Sequence, residues 1–498
     1  GVVVRQDGGL GGNVNINLNG LTGNAVRIFY DGTPLEVYGG GIQVNNIPVD
    51  ALERMDVYKG VMPVDIGTDA LGGGINLVPK KLNEKFLNTS YTVGSFNTHR
   101  FTLDGGTNLG AKTYVSLLSY INYSDNDFIM RDIRNSFERV NSNGFTVTDE
   151  EVIDARRFHN RHFSTFMEGA IKFSDLSWTD EFKVSLSHSY RDDEIQNGQF
   201  LRPTSIGAAT RKIESFTQRI DYKKVIFKKL NLRYFGVLSN TRNTSNDSTT
   251  SIYNWEGEIL EQASNPAGAE IFVRPTARVG NTLGTAHRVI LNYLVTDNLS
   301  VKVSDFFRYN KIDGNDPLGV RINIGNESID PNTIASTLTR NILGGEVEYT
   351  LFDEKVRLMG LFKNYFYDAE AIDILSEPVG ETVPVRKVNE SFNGFGFGFK
   401  YQIIPSTYVR SSFERAARIP TEGEIFGDFA AVVPNFQLSP ETSDNLNVGI
   451  GFEKPILGLK YFSFQLDAFV RDQTDLIRIE PFGPENSRFV NEEQDEGR

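Results

Sequence analysis

The chain has 498 residues, no cysteine and a formal net charge of -13. The lack of thiols excludes a disulfide scaffold and any cysteine-based metal site or nucleophile, and the acidic balance argues against a nucleic-acid binder. No run of about eighteen apolar residues occurs, so no membrane-spanning helix is predicted, although the short alternating strands of a membrane barrel would escape a hydropathy search.

The first eighty residues are predicted to hold short strands separated by turns. Four candidates are residues 2–4, 14–18, 26–30 and 35–37. Asparagine–glycine, aspartate–glycine and triple-glycine sequences lie between or after them, and these residues favour the backbone angles of turns. A domain this small has little apolar core of its own and would gain stability from being enclosed.

Residues 49–80 carry the strongest local pattern of this region. A one-turn helix is predicted after Pro48, at residues 49–53, followed by a short strand at 55–58. Three glycines at 72–74 precede a last strand at 75–79. The glycines are not a phosphate-binding loop, because no Gly-Lys-Ser/Thr follows them and no dinucleotide spacing opens a helix. The residues alone predict a small α/β domain.

From about residue 83 the pattern changes to long strands with one apolar face. In residues 394–401, three phenylalanines and a tyrosine alternate with three glycines and a lysine, and a period of two also marks residues 446–453 and 461–471. Such a face packs on a core or faces lipid. Strands of ten or more residues have the length that crosses a bilayer when tilted, whereas soluble sandwich strands average five or six.

The connections between about fifteen candidate strands alternate between short and long. The short ones are predicted at residues 109–111, 174–176, 226–229, 296–298, 352–354, 403–405 and 455–459. The long ones are predicted at residues 124–160, 192–210, 241–285, 311–335, 368–386 and 415–441. Short turns on one side and long loops on the other are typical of an outer-membrane barrel. We therefore predict an all-β transmembrane barrel of antiparallel strands over residues 83–498.

Three motifs of the first domain resemble the plug of TonB-dependent outer-membrane receptors. They are Asp-Gly-Thr-Pro at residues 31–34, Leu-Glu-Arg-Met-Asp-Val-Tyr-Lys-Gly at 52–60, and Asp-Ala-Leu-Gly-Gly-Gly-Ile-Asn-Leu-Val-Pro-Lys at 69–80. They occur in the family's order, and Pro79 stands where the family usually has threonine. The resemblance implies that residues 1–82 form an α/β plug domain inside the barrel lumen.

Two later segments extend the resemblance. Residues 411–427 are similar to a family strand that runs into an outer loop, and residues 433–442 to the loop segment that follows. Haem receptors of the family often place a histidine in the stretch between Pro420 and Asn435. This sequence has none there, so haem is a less favoured cargo. Family barrels have about 22 strands. We therefore expect an internal piece of a longer receptor, lacking the signal segment, the start of the plug and the last barrel strands.

The resemblance also implies site residues. Those expected to touch cargo follow the Asp-Gly turn at the plug apex, with two more on an outer loop: Tyr38, Gly39, Gly40, Gly41, Ile42, Gln43, Phe426 and Asp428. Glycine admits a close ligand, and a plain plug turn is the alternative interpretation. Residues expected to hold the plug to the barrel wall by charge pairs are Glu53, Arg54, Asp56 and Lys59.

The predicted function is active import across the outer membrane of a Gram-negative bacterium. The motif at residues 57–60 is closer to the siderophore and vitamin branch of the family than to its starch-utilisation branch. A ferric siderophore or similar iron chelate is the favoured cargo, with cobalamin or an oligosaccharide as alternatives. Expected partners are the TonB-ExbB-ExbD complex, the small-molecule cargo and outer-membrane lipids, and no nucleic acid. A plugged barrel that docks a surface lipoprotein or supports an envelope complex is the competing hypothesis.

No enzymatic activity and no cofactor are predicted. The sequence has no Gly-x-Ser-x-Gly elbow and no His-Glu-x-x-His motif. The five histidines are interpreted as solvated side chains, and the aspartates of the long loops match no calcium-loop spacing. No catalytic or metal-binding residue is therefore proposed from the sequence.

Overall fold

The computed structural model describes residues 2–66, 69–80, 84–196, 201–261, 265–266, 268–271, 274–375, 384–428, 432–454, 462–483 and 486–492. Strands dominate these ranges, together with one short α-helix and four short 3₁₀ helices. None of the helices in the described ranges has the length and apolar character that a membrane crossing requires.

The first six strands build two small sheets. They are β1 (Val2–Gln6), β2 (Val14–Leu18), β3 (Arg27–Tyr30), β4 (Thr33–Pro34), β5 (Leu52–Lys59) and β6 (Gly73–Pro79). β1 and β2 form a hairpin, and the other four lie in the order β4-β3-β6-β5, with β3 parallel to β6. Short 3₁₀ helices lie at Gly23–Ala25, Leu35–Tyr38 and Val49–Ala51.

The strand predicted at residues 35–37 is wrong, because this stretch is the 3₁₀ helix Leu35–Tyr38. Asp31 and Gly32 both have positive φ and turn the chain back, so the strand that returns along β3 is already complete at Pro34. Proline has no backbone N–H with which to continue a ladder. The chain then coils once, and the backbone N–H of Gly39 donates to the Glu36 carbonyl at 3.3 Å.

The remaining elements follow in chain order. The strands are β7 (Phe86–Gly94), β8 (Thr98–Asn108), β9 (Thr113–Ser124), β10 (Ile129–Val140), β11 (Thr146–Arg156), β12 (His162–Leu176), β13 (Thr179–Glu194), β14 (Thr210–Ile226), β15 (Leu230–Asp247), β16 (Thr276–Thr296), β17 (Leu299–Asn315), β18 (Ile322–Ile324), β19 (Glu327–Ile329), β20 (Ser336–Leu351), β21 (Val356–Ile372), β22 (Val385–Ile404), β23 (Thr407–Arg418), β24 (Val432–Val433), β25 (Glu441–Glu453), β26 (Ser463–Thr474), β27 (Ile477–Phe482) and β28 (Asn486–Asn491). The helices are the 3₁₀ turn Pro331–Thr333 and α1 (Glu422–Phe426).

Fifteen of these strands form one large sheet within the described part of the chain. Its order is β7-β8-β9-β12-β13-β14-β15-β16-β17-β20-β21-β22-β23-β25-β26, and every neighbouring pair is antiparallel. Each strand neighbours the next strand of this sheet in the sequence, as in an up-and-down barrel, while β10 and β11 form a separate hairpin between β9 and β12. The all-β antiparallel prediction is confirmed.

The alternation of connections is also confirmed from β8 onward, whereas the connection from β7 to β8, residues 95–97, is short although it lies at the end where long loops follow the other strands. Short turns join β8 to β9, β12 to β13, β14 to β15, β16 to β17, β20 to β21 and β22 to β23. Long loops follow β9, β13, β15, β17, β21 and β23. We call the two ends of the sheet the short-turn end and the long-loop end. The short connection predicted at residues 455–459 lies outside the described residues.

The two faces of the large sheet have opposite character. Outward side chains are apolar and exposed, as in Phe216 and Phe397, which are 62% and 60% exposed. Inward side chains are polar or charged and buried, as in Arg288 at 0% and Lys363 at 2%. This is the reverse of a soluble sandwich and suits a wall with lipid outside and a polar lumen inside.

The boundary predicted between residues 82 and 83 lies outside the described residues. The small sheets end at Pro79, and the large sheet begins at Phe86. The division into residues 1–82 and 83–498 therefore stays a prediction. Contacts between the two parts nevertheless fall within described residues, and they define the site.

Candidate functional site

Tyr38 lies between the small sheets and the inner face of the large sheet. Its ring is 1% exposed and packs edge-on against Tyr30 at a centroid distance of 5.8 Å. Its hydroxyl accepts a hydrogen bond from Arg219 on β14, and its carbonyl accepts one from the Thr217 hydroxyl at 3.4 Å. Tyr38 therefore contacts the barrel wall, and its predicted contact with cargo stays a prediction.

The glycines at 39–41 approach the same wall. A Cβ at Gly39, whose φ is +82°, would overlap the hydroxyls of Ser215 and Thr241, and one at Gly41 would overlap that of Ser189. The close approach that these two glycines permit is thus to β13, β14 and β15.

Replacing Gly39 with valine is expected to lower the free energy of unfolding by about 1–3 kcal/mol, because a side chain there meets the wall and a positive φ disfavours β-branched residues. The measurement is the thermal unfolding midpoint of the purified full-length protein in detergent. Gly40→Val is the matched control, since a Cβ at Gly40 would lie 3.5 Å from the nearest atom, Ile213 Cδ1. Equal losses in both variants would contradict the proposed wall contact.

Four other residues predicted to touch cargo occupy four different surroundings. Ile42 packs on the apolar core of the small domain. The side-chain oxygen of Gln43 is buried and has no hydrogen-bond partner in the described part of the chain. Phe426 is buried in the apolar cluster that contains Val37 and Phe235. Asp428 accepts from the backbone N–H of Val432 at 2.8 Å. The structure does not bring these side chains together.

Of the four charged residues predicted to hold the plug, one reaches the barrel in a described ion pair. Lys59 Nζ lies 3.6 Å from Asp467 Oδ2 on β26. Arg54 pairs with Asp56 at 2.9 Å and with Glu53 at 3.8 Å, both on its own strand β5. Glu53, Arg54 and Asp56 therefore pair with one another along β5.

A closed ring of six charges joins the small domain to the barrel. Three arginines alternate with three carboxylates, in the order Arg27, Glu36, Arg308, Glu422, Arg340 and Asp69, which returns to Arg27. The successive N–O distances are 3.0, 2.6, 3.8, 3.3, 3.9 and 2.7 Å. We call this set the charge ring. Its net charge is zero, and it ties the small domain to β17, β20 and α1.

The third carboxylate of the ring comes from the long loop after β23. Thr421 caps α1 in a reciprocal capping box with Glu424, which fixes the orientation of the helix. Burial alone would raise the pKa of Glu422, but Arg340 and Arg308 lower it from 4.5 to about 2. Glu422 is therefore ionised at neutral pH and attracts both arginines.

A second polar group fastens the chain between β5 and β6. Asp65 pairs with Arg233 at 2.6 Å and with Lys302 at 3.2 Å, and Lys302 also pairs with Glu346 at 2.8 Å. Burial raises the pKa of Asp65, but the two cations hold it below its usual value. Glu346 accepts from the backbone N–H of Val64 at 3.0 Å. The segment between β5 and β6 is therefore held to the wall by ion pairs of Asp65 and by a hydrogen bond from the backbone of Val64.

Two further wall residues bind the backbone of the small domain. Arg288 is fully buried and donates to the carbonyls of Asp65 and Gly32 at 3.0 and 3.3 Å. Glu414 accepts from the backbone N–H of Met62 at 3.2 Å and pairs with Lys363 at 2.8 Å. A backbone partner makes these contacts independent of the small domain's side chains.

The sequence analysis missed these wall residues, although a signal was present. They are charged side chains at the inward phase of strands whose outward phase is apolar: Arg219, Arg288, Lys302, Arg308, Arg340, Glu346, Lys363 and Glu414. A charge at that phase must face the lumen, because the other face is apolar. Reading the phase of each strand would have identified them as wall candidates.

A cavity of about 350 Å³ opens at the long-loop end, which we call the outer cavity. It lies between residues 7–13 and the ends of the strands. Its charged lining is balanced, with four arginines and four carboxylates: Arg157, Arg161, Arg191, Arg211, Asp7, Asp193, Glu194 and Asp247. Burial lowers the pKa of Arg157 to about 10. No Phe, Tyr or Trp is among its described lining residues, so the cavity offers hydrogen bonds and charge, not stacking.

A glycine-rich loop forms one side of the outer cavity and is held by the wall. Asn126 binds both backbone groups of Leu10, accepting from its N–H at 2.9 Å and donating to its carbonyl at 2.8 Å. A Cβ at Gly11 would overlap the ring of His162, which itself contacts Asp193 at 2.6 Å. The loop thus lies directly on buried polar wall residues, and the interpretation of His162 as a solvated side chain is wrong, because the residue is 2% exposed.

The long loops above this cavity pack on one another. The backbone N–H of Trp255 donates to Asn135 of β10 at 2.7 Å, and its indole N–H donates to the Arg202 carbonyl at 2.9 Å. Gln196 accepts from the backbone N–H groups of Phe158 and His159. Within the described ranges, no group of three or more His, Cys, Asp or Glu residues is arranged to hold a metal ion.

Comparison with known families gives two matches. Residues 1–74 match the family described as TonB-dependent Receptor Plug Domain, and residues 215–498 match the family described as TonB dependent receptor-like, beta-barrel. The second match alone spans more than half of the chain.

One curated relative is the vitamin B12 transporter BtuB of Vibrio vulnificus (strain CMCP6). It is 37% identical over 78 residues, which are 16% of this chain and 13% of that protein. The aligned part is thus a small fraction of the relative's length.

Solved structures share the fold over almost the whole chain. The copper transporter OprC is 15% identical, with a TM-score of 0.70, over 99% of this chain and 70% of that one. A mutant of the ferric enterobactin receptor PfeA of Pseudomonas aeruginosa is 14% identical, with a TM-score of 0.69, over 98% and 72%. The siderophore receptor PiuA of Acinetobacter baumannii is 13% identical, with a TM-score of 0.65, over 98% and 71%. At these identities the likeness concerns the fold.

Proposed function

Because the chain belongs to the TonB-dependent receptor family, we propose that it binds a scarce solute at the long-loop end and imports it on energy transduced by TonB. The family consists of receptors and transporters, not enzymes. Its barrel fold implies the Gram-negative outer membrane, where the outward apolar face would contact lipid. In this proposal the small domain is the plug, and the barrel supplies the path that the plug closes.

The observation that carries the proposal is the set of polar contacts between plug and wall, which lie beside an apolar contact of Val37 with the barrel cluster that contains Phe235. The charge ring, the Asp65 group and the backbone contacts of Arg288 and Glu414 are all hydrogen bonds or ion pairs. Water can replace such partners as the plug moves. Separating an apolar contact instead costs about 25 cal/mol of free energy for each Å² of surface that becomes exposed to water. Polar contacts of this kind suit a plug that must be held and then released by a pulling partner.

A ferric siderophore or similar iron chelate is the proposed cargo. The outer cavity presents guanidinium groups beside carboxylates, and oxygen-rich chelates offer acceptors that arginine binds in pairs. Two proteins of the same fold are described as a siderophore receptor and a ferric enterobactin receptor. Cobalamin is the alternative that a specific observation favours, because the relative with 37% identity is a vitamin B12 transporter.

The proposed energising partner is the TonB-ExbB-ExbD complex. The competing hypothesis is a docking role for the packed long loops, with a surface lipoprotein as partner. The two differ in their need for energy, since import against a gradient requires the proton-motive force and docking does not.

Uptake of a labelled panel separates these proposals. Cells that express the full-length gene and lack their own iron receptors are given ferric siderophores, cyanocobalamin and an oligosaccharide, with and without a protonophore. We expect uptake of an iron chelate that falls at least tenfold with the protonophore. Protonophore-insensitive uptake would contradict TonB energising, and uptake of cobalamin alone would contradict the iron proposal.

A further inference from the structure

A second cavity, of about 210 Å³, lies on the opposite side of the plug, and we call it the inner cavity. It is bounded by the end of plug strand β5 and by the inward faces of β21, β22, β23, β25 and β26. Four cations and one carboxylate line it: Lys59, Arg357, Lys400, Arg410 and Asp467. Unlike the outer cavity, whose charges balance, this cavity carries an excess of positive charge.

The cations of the inner cavity are only partly neutralised. Asp467 serves two of them, at 2.7 Å from Arg410 and 3.6 Å from Lys59. Arg357 pairs with Glu348 at 3.1 Å. The Lys400 ammonium lies 4.8 Å from the centroid of the Tyr408 ring, and no carboxylate of the described residues lies within 4.0 Å of it. Four cations against two carboxylates leave a net charge of +2.

Neighbouring side chains fill the wall behind these cations. A Cβ at Gly449 on β25 would overlap the carboxylate of Asp467, and one at Gly398 on β22 would lie 3.1 Å from the end of the Met359 side chain. The Asn447 side chain lines the same space, and its Nδ2 is buried without an acceptor among the described residues. A buried donor without an acceptor and a net charge of +2 in one cavity favour an anionic or acceptor-rich ligand.

The position of the inner cavity assigns it a stage in transport. Arg357 lies two residues from the turn that ends at Lys355, and Lys400 and Arg410 lie close to the turn between β22 and β23. The cavity is therefore at the short-turn end, whereas the outer cavity is at the long-loop end. A solute that passes the plug along this wall would reach the inner cavity last.

We propose that the inner cavity is an exit site that binds the anionic oxygens of a cargo chelate as it leaves the plug. This inference rests on the proposed import function. A volume of about 210 Å³ suits one anionic arm of a chelate, such as a catecholate or carboxylate group, instead of the whole molecule. The arginine forks and the lysine ammonium bind such oxygens, and the excess positive charge raises their local concentration.

The transport test removes two cations whose described partners are barrel residues, Glu348 for Arg357 and the Tyr408 ring for Lys400. In cells with the full-length receptor, Arg357→Gln combined with Lys400→Gln is expected to slow uptake of a trianionic ferric tricatecholate at least fivefold. Surface binding of that chelate and uptake of a neutral ferric trihydroxamate are expected to stay within twofold of wild type. Lys355→Gln combined with Lys454→Gln removes the same charge near the same end but outside the cavity, and should match wild type. Equal uptake of the tricatecholate by the cavity variant and this control would overturn the inference.

A direct binding test separates this inference from the import proposal. The purified full-length receptor is acylated with an amine-reactive ester, with and without millimolar inorganic pyrophosphate, and each lysine is followed by mass spectrometry. We expect pyrophosphate to slow acylation of Lys400 at least threefold and to leave Lys355 unchanged. Equal rates at Lys400 with and without pyrophosphate would overturn the exit site whatever the cells import. Protection without uptake of any chelate would keep the site and reject the import of iron chelates.

Discussion

Replacing Glu414 with leucine is expected to lower the free energy of unfolding by about 3–5 kcal/mol. Lys363 and Glu414 pair at 2.8 Å with side chains that are 2% and 1% exposed, so the variant leaves a buried ammonium without a partner. The Met62 N–H also loses its acceptor, at a cost of about 1–3 kcal/mol. The measurement is chemical unfolding of the purified full-length receptor in detergent.

The double variant tests whether the unpaired charge is the cause. Lys363→Met combined with Glu414→Leu leaves no buried charge, and we expect it to recover most of the loss, since replacing both members of a buried pair is often neutral. Arg415→Leu is the matched control on the same strand. Arg415 pairs with Asp444 at 2.9 Å, but its side chain is 52% exposed, so a loss below about 1 kcal/mol is expected. A double variant as unstable as Glu414→Leu would contradict this account.

The barrel strands could be predicted because the sequence patterns that indicate them involve residues close together in the chain. Period-two alternation and the lengths of connections are properties of neighbouring residues, and they predicted the antiparallel strands and the sides on which the short and long connections lie. Predicted residues 14–18 coincide with β2, and the strands predicted at 55–58 and 75–79 lie within β5 and β6. The 3₁₀ helix Leu35–Tyr38 was missed because an apolar run of three residues fits either structure, and Pro34 decides between them.

The surroundings of the plug turn could not be predicted, because they depend on distant residues. Gly39 and Gly41 suit close approach to a ligand, and nothing in their neighbourhood reveals that Ser189, Ser215 and Thr241 occupy that space. The spacing in sequence exceeds 140 residues, and only the curvature of the large sheet around the plug brings these hydroxyls to it. The sequence therefore indicated close approach correctly but could not identify what is approached.

The charge ring could not be predicted either, because its members are also distant from one another in the sequence. Its six members come from the plug, from two barrel strands and from α1 in a long loop. Arg54 and Lys59 looked equivalent in the motif, yet Lys59 reaches Asp467 while Arg54 pairs along its own strand. Pairing depends on which way each side chain leaves β5, and this orientation is set by the register against β6.

Acidification is expected to loosen the plug by opening the charge ring. The pKa of Glu422 is lowered from 4.5 to about 2 in the folded chain, since Arg340 and Arg308 outweigh the effect of burial. A lowered folded pKa gives stability that is present above pH 4.5 and is lost as pH falls from 4.5 to about 2. At about 1.4 kcal/mol for each pH unit, this carboxylate contributes about 3 kcal/mol at neutral pH. Burial also raises the pKa of Asp69, but Arg27 and Arg340 hold it below its usual value, so its contribution has the same sign.

The thermal midpoint of the full-length receptor, measured in detergent from pH 6 to pH 2.5, should therefore fall most steeply below pH 4.5. Glu422→Gln removes the ionisable group, so it should lower the midpoint at pH 6 and flatten the fall below pH 4.5. Glu348→Gln is the control, because its pair with Arg357 at 3.1 Å is half-exposed and lies outside the ring. It should keep the wild-type slope. A Glu422→Gln profile parallel to wild type would show that the ionisation of Glu422 does not carry the acid sensitivity.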